Sequence, residues 1–221
     1  MIRPDFATLL SFVFIDGKLN SNSLDKMHSN ALSESFEALT VDGDTSPNDS
    51  SVLVASGNQE NLIKKNSSEE KKLAKAVKEI FGELANLLAK DAEGATKSIS
   101  VNVSQARSQK QAKSVAFTVA ESPLVKTAMF GNDANWGRIL SAIGRDHEIN
   151  DVDKVSLSIN GQPMVKKGNL DPKHSETLAT KAVKKKDIEI NIKLGLGKAH
   201  FKVLTSDFSE DYVLINSDYR S

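Results

Sequence analysis

The chain contains no cysteine. That removes disulfides, thiolate zinc ligands and cysteine nucleophiles together, and it fits a reducing compartment. Aromatic residues are scarce at 5%, with Trp136 the single tryptophan, so Leu, Ile, Val and Ala must fill the core. Charge of one sign is not in excess either: Lys+Arg and Asp+Glu each number 29. A nucleic-acid or anionic-membrane protein carries a basic surplus, so no nucleic-acid partner is expected. No stretch approaches the ~20 apolar residues of a membrane span. The run Leu9 to Ile15 is short, follows Asp5 and ends at Asp16, whereas a secretion signal has a basic start and a small-residue cleavage site after its apolar run. We expect no membrane association and a cytoplasmic protein.

What is present is an ordinary soluble composition, 39% hydrophobic and 26% charged over 221 residues. A chain of that size buries about 70% of its unfolded surface on folding. The run Leu9 to Ile15 predicts a strand buried on both faces, ending in a turn at Asp16-Gly17. Leu24, Met27, Ala31, Leu32, Phe36 and Leu39 recur at helical spacing and predict one amphipathic helix. Ser67 to Lys90 predicts a long helix, with Glu69 and Glu70 at its start and Leu73, Val77, Ile80, Phe81, Leu84 and Leu88 as its stripe. Ile99 to Val103 alternates as a strand, Ala112 to Glu121 reads as a helix stopped by Pro123, and another helix follows Asn135.

The last third changes character. Val155 to Ile159, Ile188 to Ile192, Phe201 to Val203 and Tyr212 to Ile215 read as short strands separated by turn formers. Helices alternating with strands, then strands, predict a layered α/β architecture. Residues 8–150 form its α/β part and 151–221 a strand-rich part.

The residues alone offer little sharp chemistry. His28, His147, His174 and His200 stand at no metal-ligand spacing, and no metal site is expected. The sequence LGLG at 194–197 lacks the spacing of a dinucleotide fingerprint and reads as a turn. KAVKKK at 181–186 reads as a solvated face. Asp42, Asp44 and Asp49 do not follow the calcium-loop pattern.

MIRPDFATLL at the start resembles the autocleavage segment of the ornithine acetyltransferase (glutamate N-acetyltransferase) family, which is cut between Ala and Thr. Here that bond is Ala7–Thr8. The resemblance continues through VDGDTSPND at 41–49, EGATK at 93–97, SPLVKTAMFGNDANWGRI at 122–139 and DYVLINSDYRS at 211–221, in the family's order. It implies a helix–sheet sandwich of the ornithine acetyltransferase/D-aminopeptidase-like type, with residues 1–7 a pre-cleavage segment. It implies acetyl transfer from N-acetylornithine to glutamate in arginine biosynthesis through an acetyl-Thr8 intermediate, with no cofactor and acetyl-CoA as a further donor in some members. Glu93, Asn216 and Ser221 match substrate-binding positions.

The chemistry explains the threonine. A hydroxyl needs a base, and an N-terminal threonine carries one in its own α-amine, which titrates near ~7.7–8.0. While Ala7 is attached that nitrogen is an amide, so cleavage switches the nucleophile on. Read without the resemblance, Ala7-Thr8 starts a strand, Glu93 is a turn carboxylate, and Asn216 and Ser221 belong to a tail. Gly43, Gly131 and Gly137 suggest tight turns, and Lys126 and Arg138 are candidates to pair with the aspartates of 42–49.

The family's precursor has a preceding segment that becomes the other chain. It carries a Thr-Gly oxyanion hole and a lysine eleven residues before the nucleophile; this sequence starts seven residues before Thr8, and Pro47 stands where a Thr is usual. The implied partner is a complementary alpha chain in a heterotetramer of two alpha and two beta chains, and the fold is expected to be incomplete, and the chain inactive, without it. An aminopeptidase or amidase using the same nucleophile, or a non-catalytic lone subunit, are the competing readings.

Overall fold

A computed structural model describes residues 9–45, 49–59 and 61–218. Ala7, Thr8 and Ser221 lie outside the described residues. The chain divides into two units, Met1–Leu87 and Leu88–Ser221.

In the first unit, strand β1 (Leu10–Ile15) is followed by helix α1 (Ser21–Ser33), strand β2 (Ser50–Ala55) and helix α2 (Ser68–Lys90), whose last residues enter the second unit. Asn20 caps α1, its side chain accepting the Ser23 N–H at 2.9 Å. The helix expected to run on to Leu39 stops at Ser33, and Phe36–Ala38 forms a separate 3₁₀ turn. The cause is local: the Ser35 hydroxyl donates to the Ala31 carbonyl at 2.6 Å, giving the last turn an alternative to continuation. Ser67 Oγ accepts the Glu70 N–H at 3.1 Å and starts α2. The Phe81 ring of α2 is fully buried, with its centroid 5.4 Å from Phe36 and 5.5 Å from His28.

β1 and β2 run parallel, with Phe12 beside Val52 and Phe14 beside Val54. Val13 and Leu53 point inward and are buried. The opposite face corrects the expectation of a strand buried on both sides: Leu10, Phe12 and Phe14 are 71%, 60% and 72% exposed, and Val52 and Val54 38% and 37%. An apolar run marks a strand that can be covered twice; it does not say whether the same chain supplies both covers.

The second unit holds a six-stranded sheet. Its elements are β3 (Ser98–Ala106), α3 (Gln109–Ala120), α4 (Pro123–Phe130), α5 (Trp136–Arg145), β4 (Ser156–Ile159), β5 (Gln162–Lys166), β6 (Asn169–Leu170), α6 (Glu176–Val183), β7 (Asp187–Lys193), β8 (Ala199–Ser206) and α7 (Glu210–Asp218). The strand order is β6-β5-β4-β7-β3-β8, with β3 parallel to β7 and antiparallel to β8. Period-two alternation puts Ile99, Val101, Val103, Ile188, Ile190 and Ile192 into the core, and α3 packs on β3 and β8. Helices packed against a sheet give the layered α/β architecture that the sequence predicts.

Two departures bear on the site. Pro123, read as a helix stop, is also the first residue of α4, where its missing N–H costs nothing. Tyr212 to Ile215, read as a strand, lies within α7. Ser209 Oγ accepts the Tyr212 N–H at 3.0 Å, and Glu210 and Asp211 occupy the first turn, where carboxylates favour a helix. No residue of α7 is buried.

Candidate substrate site

Of the expected site residues, Glu93 and Asn216 fall within the described residues, both in the second unit and both exposed. Glu93 sits in the turn between α2 and β3, closed by the Ala95 N–H on the Ala92 carbonyl at 2.9 Å. Gly94 follows with φ +65°, and a methyl group there would lie 2.4 Å from the Tyr212 nitrogen. The turn carrying Glu93 is therefore pressed against the first turn of α7. Asn216 is one turn further along that helix, its amide donating to the Tyr212 carbonyl at 2.8 Å.

Sequence reasoning missed what holds this meeting together. Asp207, 1% exposed, accepts the Thr96 and Lys97 N–H groups, each at 2.9 Å, and the Thr96 hydroxyl. Two residues on, Ser209 Oγ donates to the Gly94 carbonyl. The Phe208 ring stacks on Tyr212 with centroids 4.7 Å apart, and Lys126 Nζ lies 4.4 Å from the Phe208 ring centre. Lys126, 1% exposed, also donates to Thr205 Oγ1 at 2.9 Å.

Lys97 ties this region to the long 122–139 block. Its ammonium has three donors, and these meet the Val183 carbonyl at 2.6 Å, Asn132 Oδ1 at 2.9 Å and the Met129 carbonyl. Val183 and Met129 lie in the last turns of α6 and α4, where carbonyls favour a cation. Burial pulls the Lys97 amine below the ordinary lysine value, and Asp207 opposes that shift. Asn135 caps α5, accepting the Arg138 N–H at 3.1 Å, and Arg138 Nη1 donates to the Leu124 carbonyl at 3.0 Å. Gly137, expected in a tight turn, is inside the first turn of α5.

Other candidates resolve plainly. LGLG forms the β7–β8 connection. The lysines of KAVKKK are exposed while Ala182 and Val183 are buried. His28 Nε2 lies 3.0 Å from Ser51 Oγ, and His174 Nδ1 lies 3.2 Å from the Pro163 carbonyl. Among the described residues no group of three or more His, Asp or Glu could hold a metal ion, and no helix is long and apolar enough to cross a membrane.

An exposed carboxylate, Glu93, and an exposed amide, Asn216, thus lie on two elements that meet within the layered α/β unit. The chain belongs to the ArgJ family, whose model matches residues 1–221. It is 39% identical over its whole length to the Arginine biosynthesis bifunctional protein ArgJ of Bradyrhizobium diazoefficiens, covering 55% of that protein. It is 42% identical, again over its whole length, to the protein of the same name from Desulfotalea psychrophila, covering 56% of it. The chain thus spans about half the length of these curated relatives. The crystal structure of Arginine biosynthesis bifunctional protein ArgJ from Bacillus halodurans superposes with a TM-score of 0.91 at 37% identity, covering 96% of this chain and 100% of that one.

Proposed function

We propose that this chain is the nucleophile-bearing part of an acetyltransferase that moves an acetyl group from N-acetylornithine to glutamate through Thr8. The observation that carries the reading is the match of residues 1–221 to a family whose curated members are named for arginine biosynthesis. In the first half-reaction Thr8 Oγ attacks the acetyl carbonyl and the Thr8 α-amine takes the hydroxyl proton. The C–N bond breaks, and that proton passes to the departing ornithine amine. In the second half the glutamate amine attacks the acetyl ester, and Thr8 leaves with its proton restored. Splitting one transfer into two is the gain of covalent catalysis. Before either half, Thr8 Oγ attacks the Ala7 carbonyl, the acyl group shifts from nitrogen to oxygen, and water releases residues 1–7.

Glu93 offers a carboxylate for a substrate ammonium, a charge-assisted contact, and Asn216 and Ser221 offer an amide and a hydroxyl. No cofactor enters these steps; acetyl-CoA is a candidate second donor. The partner is a complementary alpha chain, two of each chain forming a heterotetramer in the cytoplasm. It brings the oxyanion hole, a feature often worth about a hundredfold or more in rate. Its docking surface is the apolar β1–β2 face, which begins two residues after Thr8. Parallel sheets are rarely left bare on one side, and exposed apolar patches mark interaction sites.

The test is to supply the assembled protein with N-acetylornithine, with and without glutamate. N-acetylglutamate formed with release of ornithine is expected. Acetate released regardless of glutamate would instead make it an amidase, and no turnover would make it a non-catalytic subunit.

A further inference from the structure

Resting on the reading of Glu93 and Asn216 as substrate contacts, we propose that Asp207 and Ser209 are positioning residues that fix the Glu93 turn against the helix carrying Asn216. The two elements are far apart in sequence, and the substrate contacts themselves are exposed at the surface. Exposed turns and terminal helices move unless something holds them. Here the holding groups are buried: Asp207 is 1% and Ser209 4% exposed.

The two residues do different parts of one task. Asp207 takes three donors from Thr96 and Lys97, so the chain leaving β8 is fastened to the chain entering β3. The Asp207 N–H returns a bond to the Lys97 carbonyl at 3.3 Å, which closes the pair in both directions. Ser209 then uses a single hydroxyl twice. Its proton goes to the Gly94 carbonyl, directly after Glu93, and its lone pair accepts the Tyr212 N–H at 3.0 Å and starts α7. One oxygen therefore orients the turn and the helix at once. Gly94 fits because nothing larger could stand against the Tyr212 backbone.

Neither residue reaches out to a ligand; each acts through the geometry of its neighbours. Loss of either should leave the hydroxyl chemistry of Thr8 intact and spread the two substrate contacts over a wider range of separations. Such a change appears in KM for the acetylated donor, with kcat little altered.

The experiment uses the assembled enzyme carrying Ser209→Ala, Ser209→Thr, Thr96→Val, Glu93→Gln and the double variant Ser209→Ala/Glu93→Gln. The expected result is a KM for N-acetylornithine raised about fivefold or more by Ser209→Ala, restored by Ser209→Thr, with kcat within about twofold. Because Ser209 acts in part through Glu93, adding Ser209→Ala to Glu93→Gln should raise KM by a smaller factor than Ser209→Ala does alone, a coupling that an independent structural role would not produce. Thr96→Val removes one Asp207 partner at an exposed position and gives the same readout should Ser209→Ala fail to accumulate as folded protein. A lowered melting temperature with KM unchanged in Ser209→Ala and Thr96→Val, or a fully additive double variant, would overturn the proposal. Were Glu93→Gln raising KM while the other two did not, the clamp alone would fail. An unaltered KM in Glu93→Gln would remove the substrate reading and the clamp with it.

Discussion

Gly94 lies so close to Tyr212 that a single methyl group on it would sit 2.4 Å from the Tyr212 nitrogen. The contact joins the turn that bears Glu93 to the helix that bears Asn216, and it leaves no room for any other residue. Gly94 also has φ +65°, a conformation that costs a side chain of order 1–3 kcal/mol. Gly94→Ala should therefore lower the melting temperature and weaken donor binding together. Kinetics and a thermal melt on the same preparation check it; normal values for both would mean that the turn is free to move away from α7.

Glu93→Gln keeps the shape of the side chain and removes its charge. Losing a hydrogen bond to a charged group costs about 1.5–3 kcal/mol, so KM for N-acetylornithine should rise roughly ten- to a hundredfold. Cutting at Ala7–Thr8 involves no substrate ammonium and should proceed at the normal rate. Asn216→Ala should likewise raise KM, with little loss of stability because its side chain is exposed. Steady-state kinetics on the processed protein decides both; an unchanged KM returns the residue to the surface.

Much of this arrangement was legible in the sequence. The 3.6-residue stripe of α2 holds at Val77 and Phe81, which are buried, but not at Ile80, which is 41% exposed; the alternation of β3 follows from burial on one side by the same chain, which periodicity records. The β1–β2 face was not legible, because Phe12 and Phe14 look the same in sequence whether their cover comes from this chain or another. The run Val213 to Ile215 misled for a related reason: three apolar residues have no period, and the decision for a helix lies in the Ser209 cap and the two acids after it. The site's support was least visible of all. Asp207 meets Thr96 across 111 positions, and nothing local in TSDFSED marks its aspartate as the acceptor of two distant backbone amides. Glu93, Asn216 and Thr8 are proposed for the site only through resemblance, since none of them stands out by residue type or spacing.

The outer face of β1 and β2 yields a second kind of test. Phe12 and Phe14 are exposed, so Phe12→Ser with Phe14→Ser should change the chain's own stability by no more than about 0.5 kcal/mol each, as for other surface substitutions. The same pair should abolish co-purification with the complementary segment of the family. Retained assembly would move the docking surface elsewhere.

His28 sets a pH dependence with a definite sign. Burial beside Phe81 holds its imidazole below the ordinary value of 6.5, with Asp25 opposing. Folding thus favours the neutral ring. As the pH falls through 6.5 the unfolded chain binds the proton first, so stability drops with acidification until the folded state is protonated too. His28→Gln should flatten the melting temperature between about pH 7 and 5, the range in which an ordinary histidine titrates. A slope unchanged by the substitution would assign the acid sensitivity to other groups.

On the proposed mechanism Thr8 becomes the first residue of a working enzyme. The most direct measurement is the intact mass and N-terminal residue of this chain after it is expressed with the complementary segment. The expected chain begins at Thr8, shortened by residues 1–7, and accepts one acetyl group from N-acetylornithine on that residue, while Thr8→Ala should stay uncut and unacetylated. A chain that still begins at Met1 yet transfers acetyl groups at full rate, or a Thr8→Ala protein that does so, would contradict it.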